Sequence, residues 1–146
     1  MAEAERIYAE RKGRLSVGAR PTSITAKELV KKYQNHRRSE LTDIPQMGIT
    51  PKSFDRLCGQ IKHWENYVQL QGHTNTVIEN IPTEIGKNFA LYIKGLRKDN
   101  DLKKPRRSNQ TINQTVAAVK KMYKFAIEQK YATVVEVPTF TYLKVG

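Results

Sequence analysis

Apolar residues recur at helical spacing in four separated stretches of the chain, each opened by a hydroxyl or proline start signal. The first begins near Ser23 or Thr25. Ala26, Leu29, Val30 and Tyr33 follow, and Glu28 stands at the capping-box spacing from Thr25. The pattern fades through the polar run 34–40. Thr50-Pro51 places a hydroxyl at the N-cap and a proline at the first helical position of a second helix. That helix runs from Pro51 to about Leu70, with Phe54, Leu57, Cys58, Ile61, Trp64 and Val68 on its apolar face and Gly72 closing it. A third helix is expected over about Thr83 to Lys98, with Ile85, Phe89, Tyr92, Ile93 and Leu96 on one side. Gly86 and Gly95 either weaken it or permit close packing. Ser108 or Asn109 caps the fourth and most periodic helix, which reaches about Lys130. Its inner stripe is Ile112, Val116, Val119, Tyr123, Ala126 and Ile127.

The stretches between these helices read as connectors. Residues 43–52 hold two prolines and a glycine, 73–82 is a short linker, and 99–110 is polar and charged. Residues 1–20 read as a short helix followed by a flexible approach. The tail from Tyr131 is β-branched and aromatic, with Pro138, and reads as an extended exit strand or linker. No repeat and no convincing sheet is visible. The expected fold is all-α, a bundle of four to five helices with extended N- and C-terminal segments.

Charge changes the picture more than composition does. The 146 residues carry 26 Lys and Arg against 14 Asp and Glu, a net +12. Apolar residues at 38% suffice for a core. No stretch approaches the ~20 apolar residues of a membrane span, and no secretory leader opens the chain. One cysteine forms no internal disulfide, which fits a reducing, cytoplasmic compartment. His36, His63 and His73 are scattered and make no zinc spacing, so neither metal nor cofactor is expected. Gly13 and Gly18 have phosphate-loop spacing, but Ala19-Arg20 follows where such a loop carries Lys-Ser/Thr. A soluble, strongly basic domain remains, and its charge points to a polyanionic partner.

Two faces suit such a partner. Residues 103–127 hold Lys103, Lys104, Arg106, Arg107, Lys120, Lys121 and Lys124, and no acid. On the fourth helix Asn109, Asn113, Lys120, Lys121 and Lys124 lie away from the apolar stripe, with Gln110, Gln114 and Ala117 beside them. Amides offer donor and acceptor to base edges, small residues allow close approach, and cations hold phosphates. Solvated helices ordinarily mix signs for i,i+4 pairs, so the missing acids favour binding over a bland solvent face. On the second helix Lys52, Arg56, Gln60 and His63 form a weaker outer stripe, with Gly59 between them. Trp64 and Cys58 read as core. No carboxylate pair and no base beside Cys58 supports an enzyme. RNA ranks below duplex DNA because the aromatics are few and core-like. A helical module docking an acidic protein partner is the alternative.

Thr111-Ile112-Asn113, Tyr123, Ala126 and Pro138 mark the fourth helix and the turn after it. With the order of the other motifs over about 22–140, they resemble the last long helix and following turn of the core-binding domain of phage-integrase-type tyrosine recombinases. Ile81-Pro82-Thr83-Glu84-Ile85 is similar to the start of its preceding helix, and Ile24-Thr25-Ala26-Lys27-Glu28-Leu29 with Tyr33 to its opening. Gly86, and Gln129-Lys130 in place of a glycine turn, depart from the pattern. The resemblance implies a SAM-like bundle that grips a recombination core site through two helices in adjacent grooves of double-stranded DNA. The implied positions are Lys52, Arg56 and Gln60, then Asn109, Asn113, Lys120 and Lys121. It implies an organisation of 1–21 as an approach from an N-terminal region, 22–138 as the binding domain, and 139–146 as a linker toward a catalytic domain. That domain and other recombinase protomers would be the protein partners, in a bacterial or phage-encoded, nucleoid-acting protein. The family's chemistry uses a His-x-x-Arg motif. Here His36, His63 and His73 are followed at that spacing by Ser39, Asn66 and Thr76, so DNA cleavage by this chain is not expected.

Overall fold

The computed structural model describes residues 23–44, 47–96 and 107–145. Among these residues four α-helices carry the fold: α1 (Ala26–Arg38), α2 (Pro51–Leu70), α3 (Phe89–Lys94) and α4 (Asn109–Glu128). Short 3₁₀ turns occupy Ile78–Asn80, Thr83–Asn88 and Val134–Glu136. Among the described residues there is no strand, only isolated bridges at Thr25–Val77 and Leu41–Ile49. The all-α expectation holds.

The start signals act as the sequence predicts. The Thr25 hydroxyl accepts from the Glu28 amide, and the Glu28 carboxylate accepts from the Thr25 amide. Thr50 accepts from the Ser53 amide ahead of Pro51. Ser108, rather than Asn109, caps α4 by accepting from the Thr111 amide. Each such contact satisfies orphan N–H groups at the helix start. Gly72 closes the turn after α2 with φ 78°, a conformation that favours glycine. Helix α1 continues through the polar run to Arg38. Three basic residues, His36, Arg37 and Arg38, fill its last turn, where the helix dipole favours cations.

The third helix differs from expectation. Residues Thr83–Asn88 form a 3₁₀ turn, and α3 proper spans only Phe89–Lys94, capped at Gly95. The cause is packing against the tail. The Thr139 amide donates to the Thr83 carbonyl at 2.9 Å, and a Cβ on Gly86 would stand 2.5 Å from the Thr139 carbonyl oxygen. Gly86 is therefore the close-approach glycine of the sequence reading, and its neighbour is the C-terminal tail.

Helices α1, α2 and α4 pack on one another, and α3 closes the bundle against α2 and α4. Trp64, 1% exposed, sits at the centre of an aromatic cluster. Phe89 meets it edge-on at 4.9 Å between centroids, Phe140 at 5.3 Å and Tyr123 at 5.7 Å. Its indole N–H donates to the Tyr123 hydroxyl at 3.2 Å, so the polar atoms of both buried rings are satisfied. Truncating such a side chain to Ala typically costs about 3–5 kcal/mol. Ile127, expected inside, is only half-buried, because the core-facing side of the last α4 turn is Phe125 and Ala126.

Candidate nucleic-acid interface

Helix α4 carries its polar residues on two flanks, and the fold treats them differently. On one flank the tail returns. From Pro138 to Lys144 it runs antiparallel to α4, with Phe140 in the Trp64 cluster, Tyr142 beside Lys120, and Leu143 and Lys144 beside Asn113 and Asn109. Asn113 binds Leu143 twice: its Nδ2 donates to the Leu143 carbonyl, and its Oδ1 accepts from the Leu143 amide, both at 2.8 Å. Asn109 Nδ2 donates to the Lys144 carbonyl at 2.9 Å, and its Oδ1 accepts from Lys94 Nζ at 2.8 Å. These two amides read as free to meet base edges in the sequence; the structure commits them to holding the tail. The signal was absent locally, since the partners lie 30 and 35 residues away.

On the other flank α4 faces α2 and α1 across a groove of about 390 Å³. Ser53 and Gln60 of α2, Gln114, Ala117 and Lys121 of α4, and Arg37 of α1 line it. No carboxylate is among the lining residues, although Arg37 is paired with Glu40 at 2.7 Å. Lys52, Arg56, Lys120, Lys121 and Lys124 are all exposed, and Gln60 is half-buried at the groove wall. The ion pairs His36–Glu40 and Lys87–Glu84 also leave these cations aside. The structure thus brings Gln60 and Lys121 to one groove. It leaves Lys52 and Arg56 at the amino-terminal half of α2, and Lys120 and Lys124 along the α4 crest.

His63 and Arg107 behave differently from the others. Both are half-buried. Burial lowers the His63 pKa from 6.5, and the nearby Arg107 guanidinium lowers it further. At neutral pH the imidazole is uncharged and adds no cation to the surface. Arg107 Nη1 is enclosed, with no hydrogen-bond partner among the described residues. Arg106, with Lys103 and Lys104, lies outside the described residues. The Cys58 thiol is half-buried and pushed up in pKa chiefly by burial, which makes it a poor nucleophile.

The groove is open: beside the apolar Tyr33, Ile49, Leu57 and Ala118 it carries the amides of Gln60 and Gln114 and the cations Arg37 and Lys121. Its chemistry suits a phosphate backbone and the base edges beside it. Among the described residues no helix is long and apolar enough to cross a membrane, and no group of three metal-ligating side chains gathers. Comparison with known protein families, with curated proteins and with solved structures returns no match to this chain.

Proposed function

We propose that this chain is a duplex-DNA-binding module, of the kind that forms the core-binding half of a phage-integrase-type tyrosine recombinase. In this reading the bundle is SAM-like, α2 and α4 enter adjacent grooves, and strand cleavage belongs to a separate catalytic domain. The observation that supports it is the acid-free groove between α2 and α4, where Gln60 and Gln114 stand with Lys121, while Lys52, Arg56, Lys120 and Lys124 are exposed on the same two helices. Lys52, Arg56, Lys120, Lys121 and Lys124 take phosphates. Gln60 and Gln114 take the base-reading role that Asn109 and Asn113 cannot hold while bound to the tail. Affinity is expected to be micromolar or looser, because one module covers only part of a full interface. A titration of isotope-labelled protein with a short duplex tests it. Salt-sensitive amide shifts clustered on 52–60 and 114–124 are the expected result. Shifts confined to the basic segments 11–20 and 144–146 would reduce the interaction to undirected charge and remove the groove from it.

A further inference from the structure

The opposite flank of α4 holds a second concavity of about 440 Å³, formed where the chain 134–142 folds back on the helix. Its floor is apolar: Tyr123, Ile127, Val137 and Phe140. Lys120, Lys121 and Lys124 stand on one rim, and no carboxylate lines it. Of the acids nearest in sequence, Glu136 is turned back to accept from the Thr133 amide, and Glu128 sits on α4 a turn beyond Lys124. Val134, 72% exposed, also lines the groove, and beside it the apolar surface continues onto Val135, 83% exposed.

We propose that this groove docks an acidic, amphipathic segment of another protein. The floor takes an aliphatic or aromatic anchor, and flanking Asp or Glu side chains meet the lysine rim. Phosphates alone leave the floor unused, since they carry no apolar group to displace its water. A small amphipathic molecule fills the groove but leaves Val135 beside it uncovered; a polypeptide covers both. A second copy of this chain brings +12 against +12 and sets one lysine rim against another. A helix laid in an apolar groove with charged flanks is a recurrent recognition mode, read as anchors at i, i+3, i+4 and i+7. The site shares Ala117 and Lys121 with the groove between α2 and α4, but Val134, Val137 and Phe140 line it alone, so a Val134 variant tests it apart from the DNA reading it stands beside.

The test uses the full 146-residue chain, isotope-labelled, and a synthetic 16-residue probe peptide. The probe carries Leu and Phe at helical anchor spacing and Asp or Glu elsewhere. A control peptide replaces the anchors by Ser. At about 0.15 M salt, the anchored peptide is expected to shift the amides of Ile127, Val134 and Val137, and the Ser control to bind at least about tenfold more weakly, a difference of about 1.4 kcal/mol. Val134→Ser, at an exposed position with little to lose in folding, is expected to weaken the peptide about fivefold and leave duplex binding unchanged. Lys124→Glu weakens it about tenfold by reversing the rim charge. Equal binding of the Ser control overturns the proposal, as does an unchanged affinity in Val134→Ser. Peptide-free, concentration-dependent shifts at Val134 overturn it in favour of a second copy. Larger shifts with phosphatidylserine vesicles than with the peptide overturn it in favour of a lipid surface.

Discussion

Asn113 shows how one side chain changes role between sequence and structure. A primary amide presents a donor and an acceptor, which suits an adenine edge and equally suits a peptide group. Here the backbone partners are the N–H and C=O of Leu143, each at 2.8 Å. Asn113→Ala is therefore expected to cost about 1–3 kcal/mol of stability, by leaving two partly buried backbone groups without partners. Hydrogen exchange reads it directly: the Leu143 amide loses its protection, while amides on the α2 side of the bundle keep theirs. Duplex discrimination falls instead in Gln114→Ala. His63 gives a second residue-scale prediction, in pH. Its folded-state pKa lies below the ordinary 6.5, so below that value the unfolded chain binds a proton more readily than the folded one. The stability that neutral His63 contributes is complete above about pH 6.5 and is lost as pH falls through the lowered value. Thermal melts of the natural chain and of His63→Gln at pH 7.5 and pH 5.5 check this. The acid-side drop is expected to be smaller in the variant, and an identical drop in both sinks the assignment.

At the scale of elements, legibility followed sequence distance. The bounds of α2 and the caps Thr25, Thr50 and Ser108 were legible because each signal lies within four residues of its effect. The inner face of α1, Ala26, Leu29, Val30 and Tyr33, was legible for the same reason. The 3₁₀ turn at Thr83–Asn88 was not, because Thr139 imposes it from more than fifty residues away. Of the candidate site, the exposed lysines and Arg56 were legible as charge. The tail's occupation of Asn109 and Asn113, and the burial of His63 and Arg107, required the tertiary fold. Gly86→Ala makes the tail's influence measurable. Removing a glycine gains about 0.4–1 kcal/mol through the unfolded chain. The new Cβ, however, meets the Thr139 carbonyl oxygen at 2.5 Å, and overpacking of this kind costs about 1–3 kcal/mol. The clash wins, so urea denaturation is expected to show a net loss, accompanied by faster exchange at the Thr139 amide. A stabilised Gly86→Ala would mean that the tail does not press on this turn.

At the scale of the molecule, a net +12 predicts attraction to any polyanion, so affinity alone does not distinguish the DNA reading from undirected charge. Salt dependence and its response to single substitutions do. Five of the candidate cations stand exposed on α2 and the outer side of α4: Lys52, Arg56, Lys120, Lys121 and Lys124. If five to six phosphates are neutralised, each releasing about 0.9 counterion on duplex DNA, log affinity falls against log salt with a slope of about −5. Lys121→Ala removes a cation from the wall of the α2–α4 groove and is expected to flatten that slope by about one, for cognate and random duplexes alike. Lys87→Ala removes the same charge from a residue paired with Glu84, on the 3₁₀ turn before α3, and is expected to leave the slope unchanged. Net charge predicts equal effects from the two substitutions; a groove predicts unequal ones. Fluorescence anisotropy across a salt series measures both variants against the natural chain. Heparin as competitor adds the matching control, since a duplex-shaped groove prefers duplex over a flexible polyanion of equal charge. Equal slopes for Lys121→Ala and Lys87→Ala, together with equal competition by heparin, would leave only the protein's total charge as the cause of binding. Unequal slopes place the phosphates on α4 and make Gln60 and Gln114 the next side chains to test for base readout.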